Sequence, residues 1–111
     1  MLLAEIVKSI FIESFPLQKT DLYHVTSTSC ITGGKLIHPE HKALIFNRIL
    51  SEELMTFGNE MVANYGGKLI LVKLLYKNIN KYLWRDAESK DGDFLYTFSD
   101  IDRSDIEIIK L

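Results

Sequence analysis

The nine residues KLILVKLLY, 68 to 76, constrain this chain more than any other stretch. They form a nearly continuous apolar run, closed on one side by Gly66-Gly67 and on the other by a polar segment. Between such strong breakers the run is too short for a buried helix, so it reads as a strand covered on both faces, the central strand of a sheet. A strand of that kind needs other strands beside it and a layer above and below. The 111 residues, 47% hydrophobic and 25% charged, supply enough material for one domain with one core. Burying roughly two-thirds of its unfolded surface, a domain of this size folds without disulfides or metal.

The neighbouring segments follow from period. Leu2, Leu3, Ile6, Val7, Ile10 and Phe11 recur at helical spacing, so residues 2 to 14 read as an amphipathic helix, ended by Pro16. Residues 21 to 27 alternate, with Leu22, His24 and Thr26 on one side and Tyr23, Val25 and Ser27 on the other, as a strand requires. Residues 28 to 42 have no period and read as a long loop, and Ala43 to Phe46 as a second strand. Ser51 is a strong N-cap for a helix over 52 to 65, with Glu52 and Glu53 in its first turn and Gly66 as its stop. Only Gly58 interrupts its apolar stripe. After polar residues 77 to 93, Phe94 to Phe98 and Ile106 to Leu111 read as strands joined by the turn 100 to 104. The expected architecture is a single α+β domain: two helices packed on a mostly antiparallel sheet of about five strands.

Charge and cysteine content narrow the function classes. The net charge of −2 argues against a general nucleic-acid binder, and no run approaches the ~18 apolar residues of a membrane span. The opening MLLAEIVKSIFIESF carries Glu5, Lys8 and Glu13 and lacks a basic start, so it reads as mature structure rather than a leader. Cys30 is alone, which rules out an internal disulfide and fits a reducing, cytoplasmic location. Residues 1 to 84 carry a net +2 and residues 85 to 111 a net −4. The acidity is gathered late in the chain.

Several short motifs invite chemistry. Thr32-Gly33-Gly34-Lys35 is similar to the end of a phosphate-binding loop, but Leu36 stands where Ser or Thr is needed, and a Gly-Gly turn accounts for it. His38 and His41 flank Pro39-Glu40, which removes a helical His-x-x-His; with Cys30 and His24 they lack a second ligand pair at zinc spacing, so no metal is expected. Nothing near Cys30 specifies a thiol–base pair. His24 stands apart because a strand fixes the direction of its side chain. It is either a half-buried histidine bonded to a neighbouring strand or part of a site.

Leu22-Tyr23-His24-Val25-Thr26-Ser27 resembles the first core strand of ADP-ribosyltransferase-like domains of the histidine–tyrosine–acid type. The strand 68 to 76, the stretch Asp91-Gly92-Asp93-Phe94-Leu95 and the Ile-rich tail from Ile101 to Ile109 follow in the family's order. The resemblance implies NAD as cofactor, His24 against the nicotinamide ribose, Asp93 (or Glu88) as the acid and Tyr65 as the tyrosine. Val25 stands where the family has glycine, and Asp93 is a methylene shorter than the usual glutamate.

Two functions from different classes compete. In the first, no residue is catalytic and no cofactor is held; the overall character is similar to small bacterial toxin-immunity proteins. Asp86, Glu88, Asp91, Asp93, Asp100 and Asp102 would meet a basic protein partner such as a toxin nuclease, with Tyr82, Trp84 and Tyr96 as aromatic anchors. The plain counterpart is a solvated acidic face over buried aromatics. In the second, an enzyme uses NAD through His24, Tyr65 and Asp93.

Overall fold

Every strand pairing in the structure is antiparallel, and the strands form two sheets packed face to face. The computed structural model describes residues 20–86 and 94–111; the expected helix over 2 to 14 lies outside them. The larger sheet has six strands: β1 (Leu22–Ser27), β4 (Leu44–Asn47), β5 (Leu69–Leu74), β6 (Arg85–Asp86), β7 (Phe94–Thr97) and β9 (Ile106–Lys110), in the order β6-β7-β4-β1-β5-β9. The smaller sheet has three: β2 (Ile31–Thr32), β3 (Lys35–Leu36) and β8 (Ile101–Asp102), with β3 in the middle. Among the described residues one α-helix, α1 (Glu52–Tyr65), lies on the opposite face of the larger sheet. The domain is therefore α+β as expected, with more and shorter strands.

Covered on both faces, β5 matches its apolar run. Ile70, Val72 and Leu74 join Leu22, Phe46, Trp84, Leu36 and Ile101 in the main core between the two sheets. Leu71 joins Val25, Leu54 and Phe94 beneath α1. β5 lies between β1 and β9, however, so the middle of the sheet belongs to β4 and β1. β1 reaches that place with His24, Thr26 and Ser27 buried, polar residues that hide its coverage in a hydrophobicity reading.

The segment expected as a long loop is more ordered than that. Thr28–Cys30 makes a 3₁₀ turn, and β2 and β3 form a hairpin across Gly33-Gly34. Both glycines have positive φ, 59° and 74°, the pair of left-handed conformations that a two-residue hairpin turn of the primed kind demands. The phosphate-loop likeness thus ends in a turn. Residues 76–81 similarly form a 3₁₀ turn, and the expected turn over 100 to 104 contains β8 and a 3₁₀ turn.

α1 begins and ends where its caps predict. Ser51 Oγ accepts from the Leu54 N–H at 3.3 Å, and the Gly66 N–H donates to the Val62 carbonyl at 2.8 Å. Gly58 is buried against β1, and a Cβ placed there would overlap Val25 and stand 2.9 Å from Leu69 Cδ1. The helix approaches the strand so closely that only glycine fits. Gly58→Ala gains ~1 kcal/mol in helix propensity but overpacks a buried contact at a cost of about 1–3 kcal/mol. We expect a net loss, seen as a melting temperature lowered by several degrees in a thermal unfolding scan; a stabilised variant would show that the helix stands off from β1.

Candidate functional site

Polar residues in the middle of a sheet must be paired, and β1 shows how. Its ladder with β5 runs over six residues, Leu22 opposite Leu74 to Ser27 opposite Leu69. On its other side it is paired with β4 at a single position, Tyr23 opposite Asn47. Past that position the Ile45 carbonyl is held by the His24 side chain, Nδ1 to oxygen at 2.7 Å. A carbonyl only accepts, so Nδ1 carries the proton and Nε2 of the neutral ring is a bare acceptor. Nε2 is buried and has no hydrogen-bond partner within the protein.

The strands part here, and a cavity of about 260 Å³ opens at the gap. Val25, Ala43, Leu44 and Ile45 line it from the sheet, Phe57, Glu60 and Met61 from α1, and His24 and His38 complete it. His24 is 8% exposed, and its ring stacks on Phe46 with centroids 4.8 Å apart. Burial pulls its pKa down to about 4, outweighing the Ile45 hydrogen bond that pulls the other way.

At the cavity's outer end, residues 38–42 are tied to the end of α1. The Tyr65 hydroxyl donates to the Glu40 carboxylate, the Tyr65 ring meets His38 edge-on at 5.9 Å, and the Glu40 N–H donates to His38 Nδ1 at 3.1 Å. The Glu40 bond pushes the Tyr65 hydroxyl up to about 12 and holds the Glu40 carboxyl below its ordinary range. Tyr65 is not among the residues lining the cavity, and its hydroxyl is spent on Glu40. Of the residues that the NAD reading names, His24 lines the cavity, Tyr65 fastens its edge, and Asp93 lies outside the described residues, as does Glu88. No group of three or more His, Cys, Asp or Glu among the described residues is placed to hold a metal ion, and Cys30 is buried in the main core.

The late acidic residues divide in two. Asp105 is 4% exposed and structural: it accepts from Lys81 Nζ at 2.8 Å and from the Tyr82 hydroxyl at 2.6 Å, and the Lys81 bond above all lowers its pKa. Tyr82 is thereby turned to an internal task; its hydroxyl also accepts from the Asp102 N–H, and burial pushes its pKa up to about 12. Asp86, Asp100 and Asp102 are exposed: Asp86 ends β6, Asp100 precedes β8, and Asp102 is on β8 of the smaller sheet, opposite Lys35, its backbone N–H donating to the Tyr82 hydroxyl. Asp91, like Glu88 and Asp93, lies outside the described residues.

Trp84 corrects an expectation. It is fully buried, meets Phe46 edge-on and donates its indole N–H to the Ile79 carbonyl, so it is a core residue rather than an anchor. It stands just before β6, where Arg85 is opposite Tyr96 and the two side chains share a face. Leu83 is 52% exposed and Phe98 65%, and the Phe98 ring meets Tyr96 edge-on at 5.7 Å. Leu83 and Phe98 escaped the sequence reading because which side of a two-residue strand faces the core depends on its register. An edge aromatic two residues after Tyr96, opposite in parity to a buried Trp, is the signal that finds them.

No protein-family model, curated protein or solved structure matches this chain. No helix among the described residues is long and apolar enough to cross a membrane.

The buried neutral His24 makes stability depend on pH. Its folded pKa, about 4, lies below its unfolded value of 6.5, so between those values the unfolded chain binds a proton that the folded chain does not. Stability is therefore full above pH 6.5 and falls as pH drops toward 4. Between pH 7 and 5 the loss is about 2 kcal/mol, measurable from urea midpoints. In His24→Phe most of that slope disappears; an unchanged slope would place the titrating group elsewhere.

Proposed function

We propose that this chain is a small binding protein that docks a basic protein partner on the β6–β7 margin of its larger sheet, the working mode of an immunity protein that blocks a toxin. One observation carries the proposal: the exposed Phe98 meets Tyr96 edge-on at the β6–β7 margin, Leu83 just before β6 is exposed as well, and Asp86 and Asp100 stand exposed close by in the chain, with Asp102 on the adjoining β8. Large apolar side chains that fold to the outside forgo burial, and a cluster of them rimmed by carboxylates has the anatomy of a docking patch. The aromatic pair supplies the desolvated centre. The carboxylates steer a cationic partner and set its orientation, more than they add affinity. Arg85, exposed among them, would favour a partner that brings its own acidic residue to that point.

The test is affinity purification from cells that carry the chain's native gene neighbourhood, comparing wild type with Phe98→Asp and with Asp86→Lys/Asp100→Lys/Asp102→Lys. The expected result is a basic protein retained at low salt, released as salt rises, and bound at least ~30-fold more weakly by Phe98→Asp, as for a central interface residue. Binding indifferent to salt and to both variants would overturn the proposal.

A second reading rests on His24 lining the 260 Å³ cavity. It is the NAD-using enzyme implied by the ADP-ribosyltransferase resemblance, with His24 toward the nicotinamide ribose and Asp93 as the acid. Its support is the placement of that histidine on the first strand of the sheet beside an opening. Millimolar NAD should then raise the melting temperature, and His24→Ala should abolish the rise; no shift with NAD sinks this reading and leaves the first untouched.

A further inference from the structure

We propose that the cavity between β1, β4, α1 and residues 38–43 binds a small, uncharged aromatic molecule that donates one hydrogen bond, received by Nε2 of His24. The site is independent of the β6–β7 margin and of any catalytic role for His24.

Three features of the cavity define its ligand. Its volume, about 260 Å³, falls just under the ~300 Å³ at which drug-sized pockets begin, so it suits one or two fused rings rather than a dinucleotide. Most of its walls are apolar, Val25, Ala43, Leu44, Ile45, Phe57 and Met61, with His24, His38 and the exposed Glu60 as the polar lining. A charged group moved among the apolar walls would lose its hydration, and Glu60 is exposed and keeps its own hydration rather than serving as a buried partner, which selects a neutral molecule. Phe57 and Met61 lie one helical turn apart on the same face of α1, and a ring between them gains edge and sulfur–aromatic contacts.

The third feature is the bare acceptor. His24 spends Nδ1–H on the Ile45 carbonyl and keeps its ring flat against Phe46, so neither the tautomer nor the ring's orientation is free to change. The buried Nε2 is left without a partner, a condition that costs free energy until a donor arrives. The half-buried Met61 in the cavity's lining is unbranched and adaptable, a side chain that can shift as a ring enters. Thr26 Oγ1, on the same strand, is also buried and unpartnered, so an internal water between the two is the competing occupant.

The probes are indole and indene, which share a shape and differ by one N–H. Titrations monitored by NMR of protein with 15N-labelled histidine rings report both affinity and the His24 nitrogen itself. Indole should bind at least ~10-fold more tightly than indene, the discrimination expected of one buried hydrogen bond, and should move the Nε2 resonance. In His24→Phe the two probes should bind equally; the wild-type comparison stands even where that variant unfolds. The proposal is overturned by equal affinities in wild type, by binding that leaves the His24 resonances in place, or by no binding to the solubility limit, which would mark an internal water only. NAD binding without indole binding would likewise overturn it while favouring the NAD reading.

Discussion

The larger sheet is joined across its middle by side chains more than by a backbone ladder, and the cavity beside His24 depends on that seam. β6, β7 and β4 form one antiparallel unit, with four residue pairs between β4 and β7. β1, β5 and β9 form another, with six pairs between β1 and β5 and five between β5 and β9. Between the units stand one strand pair, Tyr23 with Asn47, and one side-chain bond, His24 to the Ile45 carbonyl. A buried carbonyl without a donor is expensive, so the histidine is what makes the gap tolerable. What closes the seam is packing on both faces. On one, Phe46 of β4 lies between the rings of His24 and Trp84. On the other, α1 rests on Val25 of β1 and reaches Phe94 of β7 through Phe57, with the two rings 6.1 Å apart.

That arrangement explains which parts of the molecule were legible in the sequence. α1 was readable to its ends because its signals are local: a serine that caps, two glutamates at the positive end of the dipole, a glycine that stops it. β5 was readable because its two covered faces leave no alternation to misread. The four two-residue strands were not, since Arg85–Asp86 or Ile101–Asp102 has no period of its own and is ordered only by a distant partner. Trp84 failed for the same reason, its inward direction being set by the register with β7. Gly58 looked like a flaw in a stripe until Val25 appeared beneath it. The cavity could not be foreseen, because it exists where a ladder stops, and no residue in 43 to 46 marks that point.

The acidic tail shows how composition and placement part ways. By sequence, Asp100, Asp102 and Asp105 are three members of one charge run, yet they carry different tasks. Asp105 is enclosed, and its bonds to Lys81 and Tyr82, with the Asn78 amide donating to its backbone carbonyl at 3.1 Å, tie the 3₁₀ turn at 76–81 to the start of β9. A partly buried carboxylate with a cation and a phenol on its two oxygens is worth more as a brace than as a surface charge. The Tyr82 hydroxyl then takes the Asp102 N–H, so the brace also positions β8. Asp100 and Asp102, by contrast, keep their side chains in solvent.

The seam also orders the two sites relative to each other. The cavity sits on the seam, walled by β1 on one side and β4 on the other, whereas the proposed docking margin lies on β6 and β7 and reaches β8 at Asp102. Local opening of a sheet is cheapest where the fewest backbone bonds must break, and across the six strands that place is between β1 and β4. A molecule bound beside His24 as proposed would touch both units, while a protein docked on Tyr96 and Phe98 would touch one. β4 lines the cavity and borders the margin: Ile45 lends its carbonyl to His24 and lies opposite Tyr96. Displacing the Ile45 carbonyl from His24 would therefore move the residue directly beside the aromatic anchor, one strand spacing of roughly 5 Å away. The cavity and the margin thus meet on neighbouring strands, at the pair Ile45 and Tyr96.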